Sequence, residues 1–174
     1  MKRTHFKIEG IDEVTNNIKK VMDAKGEKMT TSGFIKTGIL LRRTMENEPP
    51  LVPVDTGNLR ASWFTVIKGK GEVNTGKTPL AKPQEVSPED LQKQKNVVSF
   101  FKSVSESKKM PNMIFGFSAN YAAAVHEMMG KVHWQKAGSG PKYMERHLKN
   151  KQDEIIKILA EEGKKAGNNK GKKK

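Results

Sequence analysis

Residues 71–78 read GEVNTGKT, which fits the phosphate-binding pattern G-x-x-x-x-G-K-[ST]. In that pattern backbone N–H groups cradle phosphates, the lysine (here Lys77) reaches the terminal ones, and the hydroxyl (here Thr78) holds Mg²⁺. The chemistry requires a buried strand before the loop and a helix opening directly after it. WFTVI at 63–67 supplies the strand. Downstream, Thr78 is followed by PLAKPQEV, and Pro79 together with Pro83 would break any helix begun at Lys77. No later apolar strand ends in the aspartate that would hold the metal, since MIFGF at 113–117 runs into Ser118 and Ala119. The match is read as an accident of a Gly- and Lys-rich stretch, and a flexible loop is expected there.

A second chemical candidate is HEMMGKVH, with His126, Glu127 and His133. A helix-borne H-E-x-x-H zinc site needs its second histidine four residues after the first, and position 130 is glycine. A looser set of His126, His133 and His147 is conceivable, but surface or interface histidines are far commoner. No G-x-S-x-G elbow is present, and GSGPK at 138–142 precedes a helix rather than following a strand. The chain has no cysteine, which excludes a disulfide framework, a cysteine-ligated zinc and a thiol nucleophile. No catalytic, cofactor-binding or metal site is expected. What remains is Trp134 beside Lys131, His133 and Lys136. Such a group can stack and pair with nucleic acid or anchor a protein interface; the interface is favoured.

The 174 residues suit one domain. With 34% apolar and 30% charged residues, the core must be modest. No run of apolar residues is long enough to span a membrane, and MKRTHFKIEG lacks the apolar stretch of a signal peptide. The default compartment is the cytosol. Net charge is +14. Residues 163–174, GKKAGNNKGKKK, contribute six lysines (Lys170, Lys172, Lys173 and Lys174 among them) and no acid. They are expected to be a disordered tail, appended to a single domain over 1–162. Such a tail contacts nucleic acid by counterion release or serves solubility.

The elements that must position these residues follow from periodicity. Ile11, Val14, Ile18, Val21 and Met22 predict an amphipathic helix over 11–22. After an interruption at Gly26 the helical pattern resumes from Phe34 through Met45, weakened by Gly33 and Gly38 and stopped by Pro49, Pro50 and Pro53; two segments with a break and one long helix are equally compatible with it. VDTGNLRASWFTVIKGK at 54–70 reads as a turn leading into a strand. Residues 71–96 form a polar insertion, with a short helix beginning at Ser87, Pro88 at its first position and Glu89 and Asp90 in its first turn. VVSFFKSV at 97–104 and MIFGF at 113–117 predict two further strands. SANYAAAVHEMM at 118–129 predicts a short buried helix capped by Ser118 or Asn120, followed by a loop over 130–140 and a final helix from Pro141 to about 162. Strands pooled between helices imply an α+β fold: a small antiparallel or mixed sheet with an N-terminal, a short and a C-terminal helix.

Three blocks in this order carry a resemblance: VPVDTGNLRASW at 52–63, ANYAAAVHE at 119–127 and GPKYMERHLKNKQDEI at 140–155. The chain resembles the small tail-completion or neck proteins of long-tailed bacteriophages, the family often called HK97 gp10-like. The blocks cover about half the chain, and D-T-G-x-L-R-x-S is the most specific of them. The matching positions are Val54, Asp55, Thr56, Gly57, Leu59, Arg60 and Ser62, then Tyr121, Val125, His126 and Glu127, then Pro141 and Tyr143. Residues 71–96 are longer than the family's usual connection, and MMGKVHWQKAGSG replaces its common glycine-threonine. The resemblance implies a structural virion protein rather than an enzyme. It would be assembled in the host cytoplasm as a homo-oligomeric, six-fold ring in the neck. Its partners would be a portal, adaptor or head-closure protein on one side and a tail-tube protein on the other. Double-stranded DNA would pass through the lumen, met by lysines without sequence reading. The alternative, from charge alone, is a non-sequence-specific nucleic-acid-binding protein acting through its basic tail.

Overall fold

The computed structural model describes residues 11–24, 30–76, 80, 83–107, 112–130 and 132–171. Helix α1 (Ile11–Ala24) carries Asp12 and Glu13 in its first turn, where the helix dipole favours acids. It buries Val14 and Met22. Helix α2 (Thr31–Asn47) is a separate element, capped by Thr30, whose hydroxyl accepts the Gly33 N–H at 3.1 Å. The glycines that weaken the helical pattern serve packing. A Cβ at Gly38 would lie 2.7 Å from Thr75 Cγ2, and one at Gly33 would lie 3.1 Å from Leu159 Cδ2. Gly38→Val therefore overpacks the contact between α2 and the segment after β2. It is expected to cost about 1–3 kcal/mol, read as a lowered urea midpoint.

Chain reversal after α2 leads to a single helical turn, α3 (Asn58–Ala61), and then to β1 (Trp63–Ile67). Gly57 stands before α3 at φ +81°, a conformation that glycine adopts without steric cost. β1 is the central strand and is buried throughout. It pairs antiparallel with β2 (Gly71–Glu72) on one side and β3 (Met113–Phe117) on the other, Trp63 lying opposite Phe117 and Ile67 opposite Met113. The sheet and the surrounding helices make an α+β fold.

Helix α4 (Pro88–Ser105) starts as the sequence predicts: Ser87 caps it by accepting the Asp90 N–H at 3.1 Å, with Pro88 in the first turn. It then continues through 97–104, where a strand was expected. Val97, Val98, Phe101 and Val104 have helical spacing, continuous with Leu91 and Gln94, and all six are half-buried along one side. No breaker interrupts them. Phe101 stacks on Phe64 with ring centroids 5.4 Å apart, so α4 covers the Phe64 face of the sheet. The insertion over 71–96 is thus mostly structured: β2, a 3-10 turn at Pro83–Glu85, and the start of α4.

Past β3 come α5 (Ala122–His126), α6 (Tyr143–Asn150) and α7 (Gln152–Gly171). α5 is shorter than expected and Tyr121, not Ser118 or Asn120, stands at its cap position. The final helix begins at Tyr143 and is broken at Lys151. α7 extends to Gly171, through residues expected to form a disordered tail; residues 172–174 lie outside the described residues. α1, α2, α6 and α7 enclose the main core with Trp63, built from Leu41, Met45, Tyr143, Leu148, Ile155 and Leu159 among others.

α2 and α7 run antiparallel. Lys151 meets Glu48 at 3.0 Å at one end. At the other, Ser32 donates to Glu162 at 2.6 Å and Lys36 at 2.7 Å. Hydrogen bonds from Lys36, Ser32 and Lys165 hold the Glu162 carboxyl down to about 2. A folded value below the unfolded one gives stability that is present above about pH 4.3 and lost as pH falls towards the folded value. Urea midpoints are expected to fall from about pH 4.5 to about pH 2, and Glu162→Gln should flatten that fall.

Candidate functional site

The first motif block is held by its own side chains. Thr56 Oγ1 accepts the Asn58 N–H at 3.2 Å, a short polar loop of the kind that fixes turns. Arg60 donates through Nε (3.4 Å) and Nη2 (3.3 Å) to the Val52 carbonyl. Ser62 Oγ donates to Leu59 O at 2.7 Å. Leu59 is buried in α3 and Trp63 opens β1, and both enter the core.

Blocks two and three dock onto the first through backbone and rings. The Ser62 carbonyl accepts both the N–H (2.8 Å) and the hydroxyl (3.0 Å) of Ser118. Lys142 N–H donates to His126 O at 2.7 Å, and Tyr143 Oη donates to Ala122 O at 3.1 Å. Aromatic edges complete the junction. Trp63 meets Phe117 with centroids 5.2 Å apart, Phe117 meets Tyr143 at 5.6 Å, and Tyr143 meets His126 at 4.9 Å. Each pair sits in the edge-to-face range that adds to simple burial. Segments from 52–63, 119–127 and 140–155 therefore share one junction.

A polar cluster closes it. The Glu145 N–H points to His126 Nε2 at 3.4 Å, and His126 Nδ1 lies 2.7 Å from Glu127 Oε1. Nε2 thus accepts and Nδ1 carries the proton donated to Glu127. Lys142 pairs with the other oxygen of Glu127 and lies 3.4 Å from Glu145. Lys142 stands at the cap position of α6 with φ +57°, a left-handed setting that is uncommon outside glycine. Burial pushes the His126 pKa down, against the opposing pull of Glu127. Burial also opposes ionisation of Glu127, but hydrogen bonds from Lys142 and His126 outweigh it and hold its carboxyl below the usual range. A folded histidine value below about 6.5 means that the unfolded chain binds more protons. His126 stability is therefore present above that pH and declines as pH falls below it. Urea midpoints should drop between about pH 7 and pH 5, with a shallower drop in His126→Gln.

Beside the junction lies an open pocket of about 480 Å³. It is lined by apolar Leu59, Val86, Val125 and Val132, by the aromatic Tyr121 and Trp134, and by the carboxylates Asp55, Glu85 and Asp90. Asp55 accepts from Gln135 Nε2 at 2.9 Å, tying the 130–140 loop to the first block. Tyr121 is 38% exposed, so it faces the pocket rather than packing α5 inward; Ala122 is buried and Val125 half-buried.

No family model, curated protein or solved structure matches the chain.

The chemical candidates read from sequence fare differently. In GEVNTGKT, Gly71 and Glu72 form β2, and Thr75 is buried, accepting from Trp63 Nε1 at 2.8 Å and bonded to Thr65 at 2.8 Å. Its first half is therefore pinned rather than a flexible loop; Lys77 and Thr78 lie outside the described residues. Among the described residues after the loop, the first α-helix opens only at Pro88, leaving no α-helix N-terminus for phosphates directly after it. His126 and His147 are buried and His133 is exposed. Among the described residues no group of three or more His, Asp or Glu could hold a metal. Val54, Pro141 and Trp134 are half-buried and Lys136 is exposed. Lys131, Lys172, Lys173 and Lys174 fall outside the described residues, and Lys170 is described by its backbone in α7 alone. Thr75, Ser118, Glu85 and Asp90 were missed. Ser118 and Thr75 carry no local signal, because their partners are 56 and 12 residues away.

Proposed function

We propose that this chain is a structural virion protein of a tailed bacteriophage. It forms a ring, six-fold in the expected form, in the neck, where it completes the tail or joins tail to head around the DNA channel. One observation carries the reading: the three blocks that resemble the neck family, far apart in sequence, meet at the Trp63–Phe117–Tyr143–His126 junction. Residues that share a motif set because they build one scaffold are expected to meet in this way. The polar groups at the junction are spent on one another, as befits a scaffold. Portal, adaptor or head-closure and tail-tube proteins are the proposed neighbours. The basic surface suits non-specific contact with duplex DNA in the lumen.

Mass by light scattering, followed by negative-stain imaging of the same sample, tests this. Rings of about six copies, or restoration of head–tail joining in extracts lacking the chain, support it. A chain that stays monomeric at high concentration and fails to join heads to tails sinks it. The rival, a free nucleic-acid-binding protein, predicts salt-dependent duplex binding that is lost on deleting residues 163–174. Among the described residues no helix is long and apolar enough to cross a membrane.

A further inference from the structure

Among the described residues the sheet ends at β3, its order being β2-β1-β3. The phase of the ladder fixes which backbone groups face the open side. Lys68 N–H donates to the Asn112 carbonyl at 3.0 Å, and Ser118 N–H to the Ser62 carbonyl at 2.8 Å. Bonded pairs recur at every second residue of an antiparallel ladder, so Ile114 and Gly116 bond to Val66 and Phe64 across the register. Met113, Phe115 and Phe117 therefore turn their N–H and C=O groups away from β1, where no strand among the described residues meets them.

Such an edge is a template for another strand, and proteins commonly blunt it with lysine, proline or a bulge. Met113–Phe117 is MIFGF, uncharged and without proline, in unbroken register with β1. Phe115 and Phe117 pack against the core yet stay half-buried, so the apolar face continues out to the edge.

Outside the described residues one segment has the pattern of a strand. In MKRTHFKIEG, residues 1–10, Phe6 and Ile8 alternate with His5, Lys7 and Glu9, the two-residue period of a strand with one buried face. Gly10 then separates them from α1. KGEKM at 25–29 and KTP at 77–79 show no such period, KKMP at 108–111 leads directly into β3, and KKK at 172–174 has no apolar residue. Residues 81–82 and 131 are too short. The course of α1 brings residues 1–10 towards β3. Residues 25–30 alone link α1 to α2, so α1 ends beside the start of α2, at the Ser32–Glu162 end of the α2–α7 pair. α1 also packs on α6, which precedes α7 at the opposite end, so α1 begins towards α6. Tyr143 of α6 meets Phe117, the last residue of β3, with centroids 5.6 Å apart.

We propose that residues 5–9, HFKIE, add to the open edge of β3 in the same chain as a fourth strand. It runs parallel to β3, with Glu9 at the Phe117 end and Phe6 and Ile8 on the face of Phe115 and Phe117. Tethering through Gly10 gives the segment a high effective concentration at its own edge, which favours this pairing over one between copies. The inference stands apart from the ring reading, because it closes the sheet within each copy whatever the copies then form.

Nuclear magnetic resonance of the full-length chain tests the pairing. Backbone Overhauser contacts are expected between residues 5–9 and 113–117. The Phe115 amide should exchange with solvent at least about tenfold faster in F6S/I8S than in the unaltered chain, while the Ile114 and Gly116 amides, bonded to β1, keep their protection. Absence of the contacts, or a Phe115 amide that exchanges equally fast in both chains, overturns the proposal. Contacts that vanish on dilution, as light scattering shows the mass falling to that of one chain, assign the strand to a neighbouring copy and overturn the pairing within one chain. If circular dichroism shows that F6S/I8S does not fold, the Overhauser contacts in the unaltered chain still decide.

Discussion

Replacing Trp63 with alanine is expected to cost about 3–5 kcal/mol, a large share of the roughly 5–15 kcal/mol that holds such a domain folded. The indole is 4% exposed and packs against Phe115 and Phe117. Its Nε1–H donates to Thr75, so the substitution empties a cavity at the junction and frees the segment after β2 together. Urea denaturation followed by circular dichroism measures the loss. A change under about 1 kcal/mol would mean that the site collapses readily and that the junction contributes little to stability. Assembly should be lost with folding. A Trp63→Phe chain that folds but no longer assembles would instead place Trp63 at an interface.

Tyr143→Ala carries the second large effect, again about 3–5 kcal/mol. Tyr143 is 1% exposed and its ring touches Phe117 and His126. Burial pushes its phenol pKa up, which keeps the hydroxyl protonated as a donor to the Ala122 carbonyl. Tyr143→Phe separates the two contributions: it keeps the ring contacts and removes one hydrogen bond, at about 0.5–1.5 kcal/mol. If alanine and phenylalanine cost the same, the hydrogen bond and not the packing holds α6 to α5.

The parts of this fold that were legible in the sequence are those whose signals are local. The cap at Ser87, with Pro88, Glu89 and Asp90, marks a helix start from four consecutive residues. MIFGF forms the predicted strand over Met113–Phe117. VVSFFKSV misled because β-branched and aromatic residues suit a pleated surface. What decides its state is continuity with the capped turn upstream, a signal spread over eighteen residues. The helical end of α7 is hidden from composition, because it continues a helix that begins at Gln152. The junction was legible through its motif blocks, whereas the pocket was not. Asp55, Asp90, Tyr121 and Trp134 come from four separate segments, and only the folded chain brings them to one place.

The antiparallel pairing of α2 with α7 also sets a timetable for synthesis. Ser32 waits for a carboxylate 130 residues later in the chain, and α1 packs on the same late helices, α6 and α7. A nascent chain held at the ribosome can form α2, the sheet and α4, but its apolar α1 and α2 faces stay uncovered until α7 emerges. Closure by contacts of such long separation is slow, and partly made chains with open apolar faces are prone to aggregate. Expression at lower temperature, or with chaperones that shield nascent apolar segments, should therefore raise the soluble yield of this protein more than it would for a domain whose helices pack in chain order.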